Sequence, residues 1–179
     1  MIFSETKLSG AYIIDIEKIK DERGFFARTW DKNEFSKLGL ESEFVQSSIS
    51  LNKKKGTIRG MHYQIKPYEE NKIVRCTKGR IFDVIIDIRA DSITFKEWLS
   101  VELSEDNYKI LYIPKGFAHG FQTLEDNTEI YYQISEQYST KLSQGVKYHD
   151  ETFDIIWPLE ISVISEKDNK DKILNEDKI

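Results

Sequence analysis

Short apolar-rich runs recur along the whole chain: "YIIDI", "GFFARTW", "FVQSSIS", "TIRGMHYQ", "KIVRCT", "RIFDVIIDI", "EWLSVEL", "ILYIP", "AHGFQTL" and "EIYYQIS". Most are bounded by Gly, Asn, Asp, Ser or Lys, and no long helical pattern lies between them. Several short strands separated by turn signals predict an all-β sandwich or barrel. One short helix is expected at "DKNEFSKLG". There Asp31 stands as N-cap, Glu34 completes a capping-box pattern and Gly39 ends the helix. "DETFDII" predicts a second short helical turn.

A chain of 179 residues suits one domain with a good core. No repeat or flexible linker divides it. The domain is assigned to residues 1–168, and the charged run 169–179 is expected as a frayed or weakly helical tail. "IFDVIIDI" lacks alternation, which predicts a strand covered on both faces. In a small barrel that requires a second layer outside, such as a partner subunit.

The net charge of −5 argues against a nucleic-acid binder, but leaves room for a local basic pocket holding a small phosphorylated ligand. Cys76 is the one cysteine, so no internal disulfide forms and a reducing compartment is expected. The opening "MIFSETKLSG" has no basic region followed by a long apolar run, so no signal peptide is expected. No apolar run approaches the roughly 20 residues of a membrane span. No membrane partner and a cytoplasmic location are therefore expected.

The chain has 3 histidines, His62, His119 and His149. A metal-binding cupin presents two histidines at i and i+2. Here "HYQ" puts Gln64 at the second position, so no metal and no cofactor are expected. Alternation places Ile58, Gly60, His62 and Gln64 on one strand face. Glycine inside a strand marks a bulge or a close approach. A bulge at Gly60 would turn Arg59 toward the His62 side. This stretch alone leaves both packing and chemistry open for His62.

In "NKIVRCTKG", Lys72 shares a face with Val74 and Cys76. A lysine there either reaches solvent from the strand's start or needs an anionic partner. In "TEIYYQIS", Ile130, Tyr132 and Ile134 form the apolar set, so Tyr132 faces the interior. His119 lies between Phe117 and Phe121 on one face, a placement that suits packing.

These segments together resemble the nucleotide-sugar 3,5-epimerase family typified by dTDP-4-dehydrorhamnose 3,5-epimerase. The matching pieces are "DERGFFARTW", "FVQSSIS", "GTIRGMHYQ", "KIVRCTKGRIFDVIIDIR", "SVELSEDN", "LYIPKGFAHGF", "YYQISEQY", "IIWP" and "SEKD". They run in family order over roughly residues 5 to 168. The resemblance implies a cupin-like jelly-roll barrel, a homodimer and no metal. It implies a nucleoside-diphosphate-linked 4-keto-6-deoxyhexose as substrate, epimerised at C3, C5 or both through an enolate.

The resemblance also implies roles. His62 is the base, oriented by Asp168, Lys72 stabilises the enolate oxygen, and Tyr132 is the opposing acid. Arg59, His119, Arg23 and Lys167 hold the substrate, the arginines on its diphosphate. Phe26 and Gln46 match positions near the nucleotide. Two positions depart from the family pattern: Arg28 replaces a common Glu, and Ser48 a common Asn. "SLNKKKG" is also slightly longer than the usual loop. These departures bear on which nucleotide or sugar is taken. The alternatives are a 3,4-ketoisomerase of the same substrates and a non-catalytic sugar-nucleotide-binding protein.

Overall fold

The structure is a computed structural model that describes residues 1–174. Thirteen strands and two short helices follow one another along it. They are β1 (Ile2–Glu5), β2 (Tyr12–Asp15), β3 (Ile19–Asp21), β4 (Gly24–Phe26), α1 (Lys32–Lys37), β5 (Gln46–Asn52), β6 (Ile58–Gln64), β7 (Lys72–Lys78), β8 (Arg80–Asp87), β9 (Trp98–Ser104), β10 (Ile110–Ile113), β11 (Phe117–Thr123), β12 (Thr128–Ile134), β13 (Ser143–Gly145) and α2 (Glu166–Asn169). Two antiparallel sheets form the body. One has the order β1-β2-β10-β7-β12-β5, the other β13-β6-β11-β8-β9. This is the expected cupin-like jelly roll.

Alternating side chains from the facing sheets meet in the middle. Val74, Leu111 and Ile130 of one sheet pack with Ile81, Ile85, Leu103 and Phe121 of the other. The outer face of the six-stranded sheet is closed by the segment around α1. Phe35 of that helix packs on Ile14, Ile73, Ile110 and Tyr112. Asp31 caps α1 by accepting from the Asn33 and Glu34 N–H groups. Glu34 does not complete the box, because its carboxylate pairs with the Met1 amino group at 3.0 Å.

The outer face of the five-stranded sheet is closed by the chain's own C-terminal segment. Val84 and Ile86 of β8 pack with Met61, Val146 and Phe153, and Ile155 and Trp157 join them. This corrects the idea that the double burial of "IFDVIIDI" calls for a partner subunit. Most of the covering layer comes from Val146 to Trp157 of the same chain, beyond the reach of local periodicity. The segment "DETFDII" forms a turn, with the Phe153 N–H bonded to the Asp150 carbonyl, rather than a helix. Of the charged tail, the part up to Leu174 is docked: Val146 bridges Lys172, and the Leu174 N–H reaches Asp150 Oδ2 at 2.8 Å. The rest of it, 175–179, lies outside the described residues.

Candidate active site

A cavity of about 360 Å³ opens at one end of the space between the sheets. Its walls mix polar and charged side chains with apolar ones such as Ile49, Phe121 and Ile134. His62 and Arg59 reach it from β6, His119 from β11, Lys72 from β7, Tyr132 from β12 and Ser48 and Ser50 from β5, with Lys167 at its edge. The two sheets therefore supply different groups to the same space. The histidines come from one and the lysine and tyrosine from the other.

Gly60 explains how Arg59 and His62 face one cavity. His119 pairs with His62 and Phe121 with Arg59, so β6 holds one residue more than β11 between these points. That is a bulge, and it reverses the alternation. Gly60 has φ +129°, and a Cβ there would lie 2.4 Å from the Gly120 Cα. Only glycine fits such a conformation and so close an approach.

Asp168 stands behind His62. Its Oδ1 lies 2.9 Å from His62 Nε2, and its Oδ2 accepts the Gly60 N–H at 3.2 Å. Helix α2 presents it: Ser165 caps the helix and accepts the Asp168 N–H at 3.0 Å. Burial acts to raise the Asp168 carboxyl. The hydrogen bond and charge of His62, with the Gly60 and Ser165 contacts, outweigh it and hold the group below the usual carboxylate range. Asp168 thus stays ionised and holds the ring through Nε2, so that Nδ1 is the ring nitrogen not engaged by it.

Lys72 is buried rather than at the solvent-facing start of its strand. Its Nζ lies 2.9 Å from Glu70 Oε1, and Glu70 is itself held by Gln64 Nε2 at 2.9 Å. Tyr132 lies against the inter-sheet core and meets His119 edge-on, with ring centroids 6.3 Å apart. Burial, reinforced by the charge of Asp83, raises its phenol well above the ordinary tyrosine value; Arg59 and a hydrogen bond with Ser50 oppose this only in part. The phenol is a protonated donor throughout the physiological range.

His119 forms a second pair. Its Nε2 lies 2.8 Å from Asp83 Oδ1, and both groups are buried. Burial raises the Asp83 carboxyl, opposed by His119 and by the charge of Lys72. Asp83 and Glu70 escaped the sequence reading. Asp83 had left a signal: it stands between Ile81 and Ile85 on an inward face.

Gln46 lies beside the cavity and accepts the Tyr138 N–H at 3.0 Å; Tyr138 lines the cavity. Arg23, Phe26 and Arg28 are not brought there. Hairpin β3–β4 forms its own two-stranded sheet, hydrogen-bonded to neither main sheet. Among the described residues Arg23 is paired only with neighbouring Asp21, and Phe26 and Arg28 line a separate cavity with Met1, Glu17, Ile19 and Glu34. Arg28 Nε lies 3.6 Å from Asp31 Oδ2. Within the single chain these three therefore do not line the cavity around His62, and the hairpin is held by Phe25, which meets Tyr108 edge-on with ring centroids 5.1 Å apart.

Donor atoms of His62, Asp168 and Asp171 lie within 4.8 Å of one another. Both oxygens of Asp168 already accept hydrogen bonds, from His62 and Gly60, while Asp171 Oδ2 is buried without a hydrogen-bond partner among the described residues. Cys76 is buried and its thiol is pushed up to about 12. It is not a nucleophile at neutral pH.

Comparison with known proteins decides the family. The family described as dTDP-4-dehydrorhamnose 3,5-epimerase matches residues 5–176. The chain belongs to this family. A dTDP-4-dehydrorhamnose 3,5-epimerase of Shigella flexneri is 39% identical over 175 residues, covering 97% of this chain and 96% of the relative. The crystal structure of the Bacillus anthracis dTDP-4-dehydrorhamnose 3,5-epimerase, with TDP and PPi bound, superposes with a TM-score of 0.93 at 39% identity, covering 97% of this chain and 99% of that one. A Legionella pneumophila 3,5-epimerase in complex with dTDP-4-keto-L-rhamnose gives 0.90 at 36% identity, covering 96% and 92%. The protein is thus an isomerase of the nucleotide-sugar 3,5-epimerase family. The expected jelly roll is the fold of these epimerases. Among the described residues no helix is long and apolar enough to cross a membrane.

Proposed function

We propose that the protein inverts C3 and C5 of a dTDP-linked 4-keto-6-deoxyhexose, with His62 as base and Tyr132 as acid. The observation that carries this reading is the placement of the two groups on opposite sheets around one cavity that Lys72 also lines. The C4 ketone acidifies the hydrogens on C3 and C5. His62 Nδ1 takes one as a proton, and the C–H electron pair passes into an enolate. The Lys72 ammonium stabilises the enolate oxygen. Tyr132 delivers its O–H proton to the same carbon from the other side, which inverts the centre. Solvent then reprotonates the phenol and removes the proton from the imidazole. Arg59, Lys167 and His119 hold the substrate.

A homodimer gives the exposed hairpin a purpose. Phe26 is 66% exposed and Ile19 is 69% exposed, which is unusual for a hairpin with no role. A second copy would bring Arg23, Phe26 and Arg28 to this cavity, where Arg28 and Ser48 would bear on the nucleotide. Mixing a His62→Ala chain with an Arg23→Ala/Phe26→Ala chain tests this. Regained activity requires that the hairpin serve its partner's site. The nucleotide-sugar substrate and the single buried thiol fit a reducing cytoplasm.

The reaction is tested by incubation with dTDP-4-keto-6-deoxyglucose in deuterated water, followed by NMR. Deuterium at C3 and C5 is expected. Deuterium at one carbon indicates a single-site enzyme, and migration of the carbonyl from C4 to C3 a ketoisomerase. No exchange leaves a binding protein.

A further inference from the structure

Arg59 is the one cavity arginine, and among the described residues it forms no ion pair. Its only hydrogen bond is to a neutral group: Nε donates to Asn52 Oδ1 at 2.6 Å. Asn52 does not line the cavity. It ends β5 behind the wall and is 2% exposed. Its amide nitrogen is held in turn, by the Thr128 carbonyl at 3.3 Å, the Ser50 carbonyl at 3.2 Å and the Ser50 hydroxyl at 3.4 Å. Ser50 is also the hydroxyl bonded to the Tyr132 phenol.

We propose that Asn52 is a positioning residue that aims the Arg59 guanidinium into the cavity while leaving its charge unspent. A guanidinium has five N–H donors in a fixed fork. Fixing Nε from behind sets the plane of the fork. The terminal nitrogens then point to the cavity, ready for two oxygens of a diphosphate. A carboxylate at position 52 would hold the arginine as well, but would neutralise it. A neutral amide, buried and anchored at its other end by β12, orients the cation without competing with the ligand. This inference rests on the reading of the cavity as a nucleoside-diphosphate site.

The test is calorimetric binding of dTDP and of thymidine to wild type, Asn52→Asp, Asn52→Ser and Arg59→Ala, with epimerisation kinetics alongside. Asn52→Asp should weaken dTDP by about tenfold or more, the scale of a hydrogen bond to a charged group. Thymidine, which carries no phosphate, should bind all four proteins alike. KM should rise far more than kcat falls. Asn52→Ser keeps the site neutral but releases Nε, and should fall between wild type and Asn52→Asp. Equal dTDP affinity for wild type and both Asn52 variants, with Arg59→Ala weakened, overturns the role of Asn52 alone. So does a fall in kcat without a rise in KM, which would place Asn52 behind Tyr132 instead. Unchanged dTDP affinity in Arg59→Ala overturns the diphosphate reading itself.

Discussion

His62 Nε2 lies 2.9 Å from Asp168 Oδ1, although 106 residues separate the two. The same carboxylate takes the Gly60 N–H. One buried group therefore fixes both His62 and the bulge that aims it. The C-terminal segment that seals the outer sheet also delivers this group, so closing the fold and positioning His62 are one event.

Replacement of the base gives the first prediction. His62→Ala should lower deuterium incorporation by roughly 10²–10⁴-fold, the range of general acid–base catalysis. Asp168→Asn should lower it less, because it loses orientation and charge but keeps the imidazole. Circular dichroism should show both folded. Substantial exchange in His62→Ala would remove His62 as the base.

Asp168 also predicts an acid limb in stability. Its folded carboxyl titrates below the ordinary value of 3.8. A depressed carboxyl contributes stability that is present above the unfolded value and lost as pH falls through the folded one. The gap in melting temperature between wild type and Asp168→Asn should thus narrow below about pH 4. A gap that held steady to the lowest pH would show that the carboxylate charge adds nothing.

The strands were legible in the sequence because each carries its own turn signals and apolar pattern. Tyr132 was placed inward by alternation alone, and a bulge was suspected from Gly60. Asp168 could be joined to His62 only through family resemblance, since nothing local links residues so far apart. Glu70 was invisible because it lies in a loop, where no periodicity says which way a side chain points. The cover over β8 has no local signal for a related reason: Trp157 and Phe153 reach that sheet through tertiary packing. The hairpin residues Arg23, Phe26 and Arg28 matched a family motif, and a motif does not say which copy's site a side chain serves.

Lys72 and Glu70 form a buried pair, each side chain 10% exposed. Removing one partner leaves the other as an uncompensated charge, a loss of about 3–5 kcal/mol for a buried pair. Lys72→Met should therefore cost both stability and activity. Lys72→Met/Glu70→Gln should recover much of the stability and none of the activity. Denaturant unfolding and NMR exchange measure the two separately. Restored activity in the double variant would exclude Lys72 from enolate stabilisation.

The hydrogen bonds that occupy both Asp168 oxygens, from His62 and Gly60, predict metal independence. Activity should survive exhaustive chelation followed by assay in metal-free buffer. Loss of activity that a divalent ion restores would make these three groups ligands.

Tyr132 separates abstraction from inversion. With the proposed base and acid on opposite sheets, each would serve one side of the sugar ring. Tyr132→Phe keeps the ring in its packing against the core and His119, and removes only the hydroxyl. His62 can still take a proton, exchange it with solvent and return one to the same side. Substrate should then gain deuterium while keeping its configuration, and epimerised product should fall by at least about 10²-fold. Proton NMR of the recovered sugar reads both quantities in one sample. Inversion at the wild-type rate would mean that another group, or water, supplies the second proton. Loss of exchange together with inversion would mean that the phenol is needed for abstraction as well, and the division of labour between the two sheets would fail.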